Sequence, residues 1–270
     1  MKAVHLEPVS DLTAEAFVAC LRRFIARRGK PILIWSDHGS NFIGATCLLT
    51  ELFQFLRQQE NKEIISNFCS SQNITWDFIP ERAPHFGGLW EAAVKSMKRH
   101  LSRIVGNVKL TFEELTTVLS QIEACLNSRP LVALPCDDDG VEALTPGHFL
   151  IGRPLEALPD PAVSFRSLSL LRRWDLWQSL VRHFWQRWSS EYLVSLQKFH
   201  KWHRPSKNIV VGDIVVLREN GMVPTRWPIA KVIETHAGRD KLVRVVTVKT
   251  STGTYTRPVN KLALLLPCKS

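Results

Sequence analysis

The pattern of apolar residues changes once along the chain, near residue 206, and this change limits what the chain can fold into. Before it, helical periodicity alternates with short strand-like segments such as ITWDFIP at 74–80, which is typical of an α/β layer with a partly parallel sheet. After it, four or five short strand-like segments are separated by the turn residues Asn220-Gly221, Gly238-Arg239-Asp240 and Thr252-Gly253. Such closely spaced strands predict a small barrel of SH3-like size.

The first elements follow from local signals. Residues 2–9 alternate and contain Pro8, as in an edge or terminal strand. We expect a helix over 12–28, capped by Asp11 and closed by the following glycine. The apolar run 31–37 then predicts a buried strand that ends in an aspartate.

The middle of the chain is predicted to be helical and then irregular. Thr111 and Glu114 have capping-box spacing at the start of a helix that ends before Pro130. A long amphipathic helix is expected over 170–202. The predicted domains are therefore a partial catalytic core (1–130), a proline-rich linker with short elements (131–170), the long helix (171–205) and the small β domain (206–268).

The net charge of +10 is concentrated in one part of the chain. Residues 1–160 contain 16 basic and 19 acidic side chains, whereas residues 161–270 contain 19 basic and 6 acidic ones. Because phosphate contacts release condensed counterions, nucleic acid is the expected partner of such a region. Tryptophans in this region either stack on bases or form core at helical spacing, and the spacing favours core for each of them: Trp174, Trp177, Trp185, Trp188, Trp202 and Trp227.

Other features exclude some classes of protein. The longest uncharged apolar runs are far shorter than the ~20 residues that span a bilayer, so we expect that the chain is not a membrane protein. Residues 1–10 lack the unbroken apolar stretch of a signal peptide. The cysteines occur singly, without zinc-ligand spacing, and are expected to be free thiols: Cys20, Cys47, Cys69, Cys125, Cys136 and Cys268.

Two carboxylates are candidates for metal chemistry. Asp37 follows a buried strand at the end where open α/β sheets place their sites, and Glu91 follows two glycines at the start of a helix. Two carboxylates brought together from such positions suit a hard divalent cation. The alternative is that each acid is a helix cap or a solvated residue, which is the commoner case for a single Asp or Glu.

Several motifs together resemble a known family. WSDHGSNFIG (35–44) and APHFGGLWEAAVKSMK (83–98) resemble the second and third acidic motifs of the retroviral and retrotransposon integrase core. The segments 3–31, LNSRPL at 126–131, LTPGHFLIGRP at 144–154 and 227–262 are similar to the integrase region of BEL/Pao-type LTR retrotransposon polyproteins. The resemblance covers essentially the whole chain. It implies an α/β fold with a truncated RNase H-like core, a long linking helix and a small C-terminal SH3-like β-barrel.

The resemblance also implies roles for individual residues. Asp37 and Glu91 match two metal-binding carboxylates, which in the family hold two Mg²⁺ or Mn²⁺ ions for phosphodiester chemistry. Lys95 and Lys98 match positions that approach DNA ends, although Lys95 can also pair with Glu91 on a solvated helix face. Asn41 matches a polar position beside the metal site.

The remaining implications concern substrate and location. His85, with Gly87, matches the loop that frames the substrate. Family membership implies 3′-processing and strand transfer of LTR ends into target DNA, action in the nucleus, a possible homo-multimer and no small-molecule substrate. The alternative function is a non-catalytic DNA- or chromatin-binding protein derived from such an element.

One family feature is expected to be missing. The family's first metal-binding aspartate lies upstream of the segment that matches residues 2–9, and this chain begins at that segment. Asp11 does not replace it, because it is predicted to cap the first helix. With two of three carboxylates we expect the chain to be inactive alone, either as a 5′-truncated genomic copy or because its assigned start misses upstream exons.

Overall fold

The computed structural model describes residues 2–11, 13–36, 59–78, 99–106, 108–135, 141–157, 173–196, 208–219 and 221–267. The chain divides into two compact units. The N-terminal unit comprises residues 5–95 and 110–119, and the C-terminal unit comprises residues 1–4, 96–109 and 120–270. The domain limits expected from the sequence stay a prediction.

Helices and short strands alternate in the first part of the chain, and strands follow one another after residue 208. The described helices are α1 (Ala14–Arg28), α2 (Gln59–Ser71), α3 (Phe112–Asn127), α4 (Pro146–Ile151) and α5 (Arg173–Leu196). Residues 99–105 are also helical. The strands are β1 (Leu33–Ser36), β2 (Thr75–Phe78), β3 (Val132–Pro135), β4 (Val141–Leu144), β5 (Ile214–Leu217), β6 (Ile229–Ala237), β7 (Val243–Thr250), β8 (Gly253–Pro258) and β9 (Leu262–Leu266). This is the mixed α/β composition that the sequence predicts.

The N-terminal unit contains a parallel pair of strands. β1 and β2 pair in parallel, with Leu33 opposite Thr75 and Ser36 opposite Phe78. The core beside them is formed by Ala14, Leu21, Ile65, Cys69 and Ile74. β1 was predicted from its apolar run and β2 from the alternation of its residues, and their parallel pairing agrees with the expected α/β layer.

The cap of α1 differs from the prediction. The helix starts at Ala14, and the hydroxyl of Thr13 accepts a hydrogen bond from the backbone N–H of Ala16 at 3.2 Å. Asp11 was therefore the wrong cap, because Thr13 lies at the N-cap position from which a side chain reaches the third helical residue. Gly29 ends the helix with a φ of 89°, as expected.

Residues 2–9 do not form the predicted strand. They have no regular secondary structure, and a strand cannot persist without a partner for its backbone groups. The side chain of Asn127 supplies that partner at Val4. Its Oδ1 accepts from the Val4 N–H at 2.8 Å, and its Nδ2 donates to the Val4 carbonyl at 2.7 Å.

The capping box of α3 is present as predicted. The backbone N–H of Thr111 donates to the Glu114 carboxylate at 2.8 Å, and the backbone N–H of Glu114 donates to the Thr111 hydroxyl at 3.2 Å. The helix ends at Asn127, before Pro130. Sequence signals therefore predicted both where α3 starts and where it ends.

The segment expected to be a linker contains short elements. β3 and β4 form an antiparallel hairpin, with Val132 opposite Leu144. α4 follows directly, and the backbone N–H of Thr145 donates to Nδ1 of His148 at 3.0 Å to satisfy the helix start.

The strands after residue 208 form one antiparallel sheet in the order β8-β7-β6-β5-β9. A 3₁₀ turn, Val259–Lys261, connects β8 to β9. The five strands match the four or five expected from the sequence.

Three described cysteines, Cys20, Cys69 and Cys125, are free thiols. Burial raises the pKa of Cys125 to about 12. No helix among the described residues combines the length and hydropathy needed to span a membrane.

We expect Asn127→Ala to destabilise the protein by about 2–4 kcal/mol, because it removes two hydrogen bonds to the Val4 backbone at a fully buried side chain. Urea unfolding of the variant and the wild type measures the loss.

A matched control is Asn208→Ala, because Asn208 also makes two backbone hydrogen bonds, to Lys241 and Val243, but at an exposed position. Its expected cost is below about 1 kcal/mol. Equal losses for the two variants would contradict the role of burial at Asn127.

Candidate nucleic-acid interface

The residues that the sequence assigned to catalysis and DNA contact lie outside the described residues. They are Asp37, Asn41, His85, Glu91, Lys95 and Lys98. The strand that precedes Asp37 is formed as predicted, since β1 ends at Ser36. The roles of these six side chains, and the Mg²⁺ or Mn²⁺ that two of them would hold, therefore stay predictions.

Within the described ranges, no group of three or more His, Cys, Asp or Glu side chains is placed to hold a metal ion. The candidate interface lies in the C-terminal unit, where the basic charge is concentrated. The LNSRPL motif is part of the framework that supports this candidate interface.

The LNSRPL residues that follow the end of α3 make several hydrogen bonds to distant segments of the chain. The hydroxyl of Ser128 accepts from the indole N–H of Trp227 at 3.1 Å. The guanidinium of Arg129 donates to the carbonyl of Lys2. The hydroxyl of Tyr192 donates to the carbonyl of Pro130 at 2.6 Å. Consecutive residues of the motif therefore bind the start of the chain, α5 and the loop before β6.

The aromatic residues of α5 form core, as their spacing favours. Phe184, Trp185 and Trp188 are buried, and the ring of Trp227 packs edge-on against that of Trp185 with centroids 4.8 Å apart. Trp174 differs from these residues of α5, because it is 60% exposed at the start of the helix. Most of these rings are thus unavailable for stacking on bases.

Another contact joins residues 99–105 to α5. Glu191 accepts a hydrogen bond from Arg99 and lies 3.0 Å from Nε2 of the buried His100. The ring of His100 also packs edge-on against Phe184. These contacts hold α5 on more than one side. They therefore fix the surface of the helix against which the sheet packs.

The five-stranded sheet has two differently covered faces. Its inner face forms a core of Val215, Leu217, Ala230, Val232, Val246, Val248 and Leu262. On its outer face, Val216 of β5 and Ala263 of β9 pack against Leu193 of α5. The helix thus covers the β5–β9 part of the outer face.

The β6–β7–β8 part of the outer face carries charge. Lys231 of β6 lies directly opposite Lys249 of β7, and both are exposed. Their neighbours along each strand, Val232 and Val248, are fully buried in the inner core. Because side chains alternate along a strand, the two lysines point outward on the same face.

Two arginines of the sheet are paired with acidic side chains. Arg244 bonds Asp240 at 2.6 Å, and this guanidinium holds the pKa of the Asp240 carboxyl below its usual value. Arg257 lies 3.1 Å from Glu219. Lys231, by contrast, makes no ion pair with any side chain in the described part of the chain.

Exposed ammonium groups on a sheet face can bind phosphate without reading base sequence. The sequence indicated this region by its regional charge but not these lysines, because the face of each lysine depends on strand register. The signal available in the sequence was that Lys231 lies between two apolar residues, Ala230 and Val232, as an outward-facing residue of a strand does.

Comparisons with known proteins complete the description. The model of a family of unknown function, DUF5641, matches residues 172–265, about a third of the chain, from the start of α5 to β9. No curated protein matches the chain. Among solved structures, one match is a chain of the simian T-cell lymphotropic virus intasome in complex with PP2A regulatory subunit B56 gamma. It has 14% identity and a TM-score of 0.32 over 95% of this chain and 66% of that chain, values too low to assign a fold.

We expect protein stability to fall at alkaline pH partly through Tyr192. Burial raises the pKa of its hydroxyl from 10.0 to about 12, against the opposing effect of Arg129. The folded state therefore keeps this proton longer than the unfolded state, so the contribution is complete below about pH 10 and is lost as pH rises to about 12. The loss is on the order of 2–3 kcal/mol.

Unfolding measured across this pH range should show a shallower alkaline decline in Tyr192→Phe. Tyr255→Phe is the control, since Tyr255 is the other tyrosine of the chain and is exposed. An alkaline decline that is the same in wild type and Tyr192→Phe would contradict this assignment.

Proposed function

We propose that this chain is an integrase-related region of a BEL/Pao-type LTR retroelement and that its C-terminal part binds DNA. The observation that carries the proposal is the concentration of basic charge in residues 161–270, with Lys231 and Lys249 exposed together on the sheet. The motifs WSDHGSNFIG and APHFGGLWEAAVKSMK support the integrase relationship. DNA in the nucleus is the expected partner, and a homo-multimer is part of the proposal.

The proposed parent activity is metal-dependent 3′-processing and strand transfer. Asp37 and Glu91 would be carboxylate ligands of Mg²⁺ or Mn²⁺, and Lys95, Lys98, Asn41 and His85 would lie at the DNA. The 270 residues contain two matched carboxylates of the family's three. A two-metal site without its third carboxylate loses the bridging that positions both reacting oxygens, so we propose that this chain alone is inactive.

A second candidate is a non-catalytic DNA- or chromatin-binding protein derived from such an element. It is favoured by the separation of charge from the catalytic motifs, because residues 1–160 have more acidic than basic side chains. The two candidates share DNA binding and differ in the chemistry of the parent protein, so one experiment tests the shared binding and a second tests whether the chain is catalytic.

The first experiment measures duplex DNA binding by the full chain. We expect the affinity to fall at least about tenfold between about 0.05 M and about 0.3 M salt, because each phosphate contact contributes a slope of roughly −0.9 to log K against log salt. Duplexes of unrelated sequence should bind alike, since phosphate contacts carry no sequence information. Fluorescence anisotropy measures both effects. Equal affinity at the two salt concentrations would sink the DNA-binding proposal.

The second experiment tests catalysis. We expect no 3′-processing or strand transfer by the purified chain with Mg²⁺ or Mn²⁺ and LTR-end duplexes, and therefore no difference from Asp37→Asn or Glu91→Gln. Gel analysis of labelled ends measures cleavage and joining. Product formation that is lost in Glu91→Gln would show that the chain is catalytic and would overturn the proposed inactivity.

A further inference from the structure

Three segments of the C-terminal unit meet around one cavity, which has a volume of about 220 Å³. Ser128 comes from the LNSRPL motif, Thr145 and His148 come from LTPGHFLIGRP, and Trp227 comes from the loop before β6. Neither of the functions proposed above uses this cavity.

The size of the cavity limits what can fill it. At roughly 30 Å³ for each water of the liquid, about seven waters fit in this volume. Pockets that bind whole cofactors or drug-sized molecules are larger, about 300–1,000 Å³. Leu155, Trp227 and Ile229 give the cavity an apolar wall. A space of this size and lining suits one apolar side chain that belongs to a larger molecule.

The imidazole of His148, which lines the cavity, offers one hydrogen-bond donor. Its Nδ1 accepts from the backbone N–H of Thr145 at 3.0 Å. Because Nδ1 is an acceptor, the neutral ring has its proton on Nε2. Nε2 makes no hydrogen bond to any described residue. His148 can therefore donate to a carbonyl oxygen of a bound molecule.

Thr225 lines the same cavity and adds a buried donor. The residue is 8% exposed, and its hydroxyl oxygen accepts from the backbone N–H of Ala157 at 2.8 Å. The hydrogen of this hydroxyl has no acceptor in the part of the chain that the structure describes. Because a buried donor without an acceptor is costly, a bound molecule that supplies one stabilises this wall.

A carboxylate completes the polar groups of the cavity. Glu142 of β4 lines it, is exposed to solvent and makes no ion pair with a described side chain. This charge attracts a cationic group and repels phosphate. The polar groups therefore favour a basic peptide over a nucleic acid.

We propose that this cavity binds a segment of a partner protein in which an apolar residue and a basic residue are adjacent. The apolar side chain fills the space against Trp227. A main-chain carbonyl of the segment accepts from Thr225 or His148, and the basic side chain pairs with Glu142. This inference concerns a protein partner and does not depend on the proposed DNA binding.

The test uses the full chain with blocked dipeptides as probes. Acetyl-leucyl-lysinamide has both features of the proposed segment, and acetyl-glycyl-lysinamide lacks the apolar side chain. A third dipeptide has glutamate in place of lysine. Each pair of residues is tested in both orders. Ligand-observed NMR titration measures the dissociation constants.

We expect the leucine peptide to bind at least about tenfold more tightly than the glycine peptide, because its side chain is removed from water. Glu142→Gln should weaken binding of the leucine peptide by about twofold to fivefold, as the loss of an exposed ion pair does. Glu156→Gln is the matched control, because Glu156 is an exposed acid of the same segment that does not line the cavity. It should change binding little.

A second variant fills the cavity. Ala143 lines it from β4, where it lies opposite Ala133 of β3. Ala143→Leu should weaken binding of the leucine peptide by more than about tenfold and should unfold at or above the wild-type temperature, because the added side chain occupies the space. If this variant does not fold, Glu142→Gln still decides the test, since it changes an exposed side chain.

Three results would overturn the inference. Equal affinity for the leucine and glycine peptides would indicate that the cavity holds water only. Equal effects of Glu142→Gln and Glu156→Gln would remove the ion pair from the site. If Ala143→Leu weakened binding of duplex DNA and left peptide binding unchanged, the cavity would belong to a nucleic-acid surface instead.

Discussion

Burial of apolar side chains on both faces of the five-stranded sheet is the constraint on which the C-terminal unit depends. The inner face is closed by a valine-rich core that includes Val215, Val232 and Val248. The outer face cannot be left apolar, and α5 covers only the part at β5 and β9, through Leu193. The uncovered part must therefore be polar to remain in water. Lysine and threonine at Lys231, Lys249 and Thr254 meet that requirement, so the charge of the surface is first a solution to a packing problem. The same packing leaves these three side chains exposed to solvent.

The LNSRPL motif shows how a sequence resemblance and a structural role can coincide. Asn127 completes the backbone of Val4, Ser128 accepts from Trp227, and the carbonyl of Pro130 accepts from Tyr192. Each of these contacts connects segments far apart in the sequence and lies in a buried or half-buried place, where an unmade hydrogen bond is costly. Packing is thus sufficient reason for these three residue types to occur together. The motif therefore bears on packing, and the proposed catalysis rests on Asp37 and Glu91.

The sequence predicted best where local chemistry decides the structure. The capping box of Thr111 and Glu114 and the closing Gly29 depend on residues within one turn, and both are present. The hydroxyl of Thr13 displaced Asp11 as the cap because two residues of offset decide which side chain reaches the first free N–H groups. The segment at Val4 was predicted as a strand from its alternation, but its partner is the side chain of Asn127, 123 residues away. Alternation in sequence reports which faces a strand would have, and it cannot report whether a neighbouring strand exists.

The candidate metal ligands illustrate another limit, because carboxylates on separate elements become a site only through tertiary structure.

The charged face itself depends on a feature that no local pattern reveals. The pairing register between β6 and β7 shifts between Val232 and Glu234, so Ile233 is an additional residue in β6. Without it, residue 234 would oppose Val246, whose side chain is fully buried, and a carboxylate would point into the core. The bulge keeps Glu234 on the outer face, opposite Thr247, while Lys231 stays opposite Lys249. It also separates the two kinds of charge along the strand, with the lysines on one side and Glu234 beside His236 on the other. The position of Glu234 outside the core is therefore a consequence of one inserted residue and not of the alternation pattern.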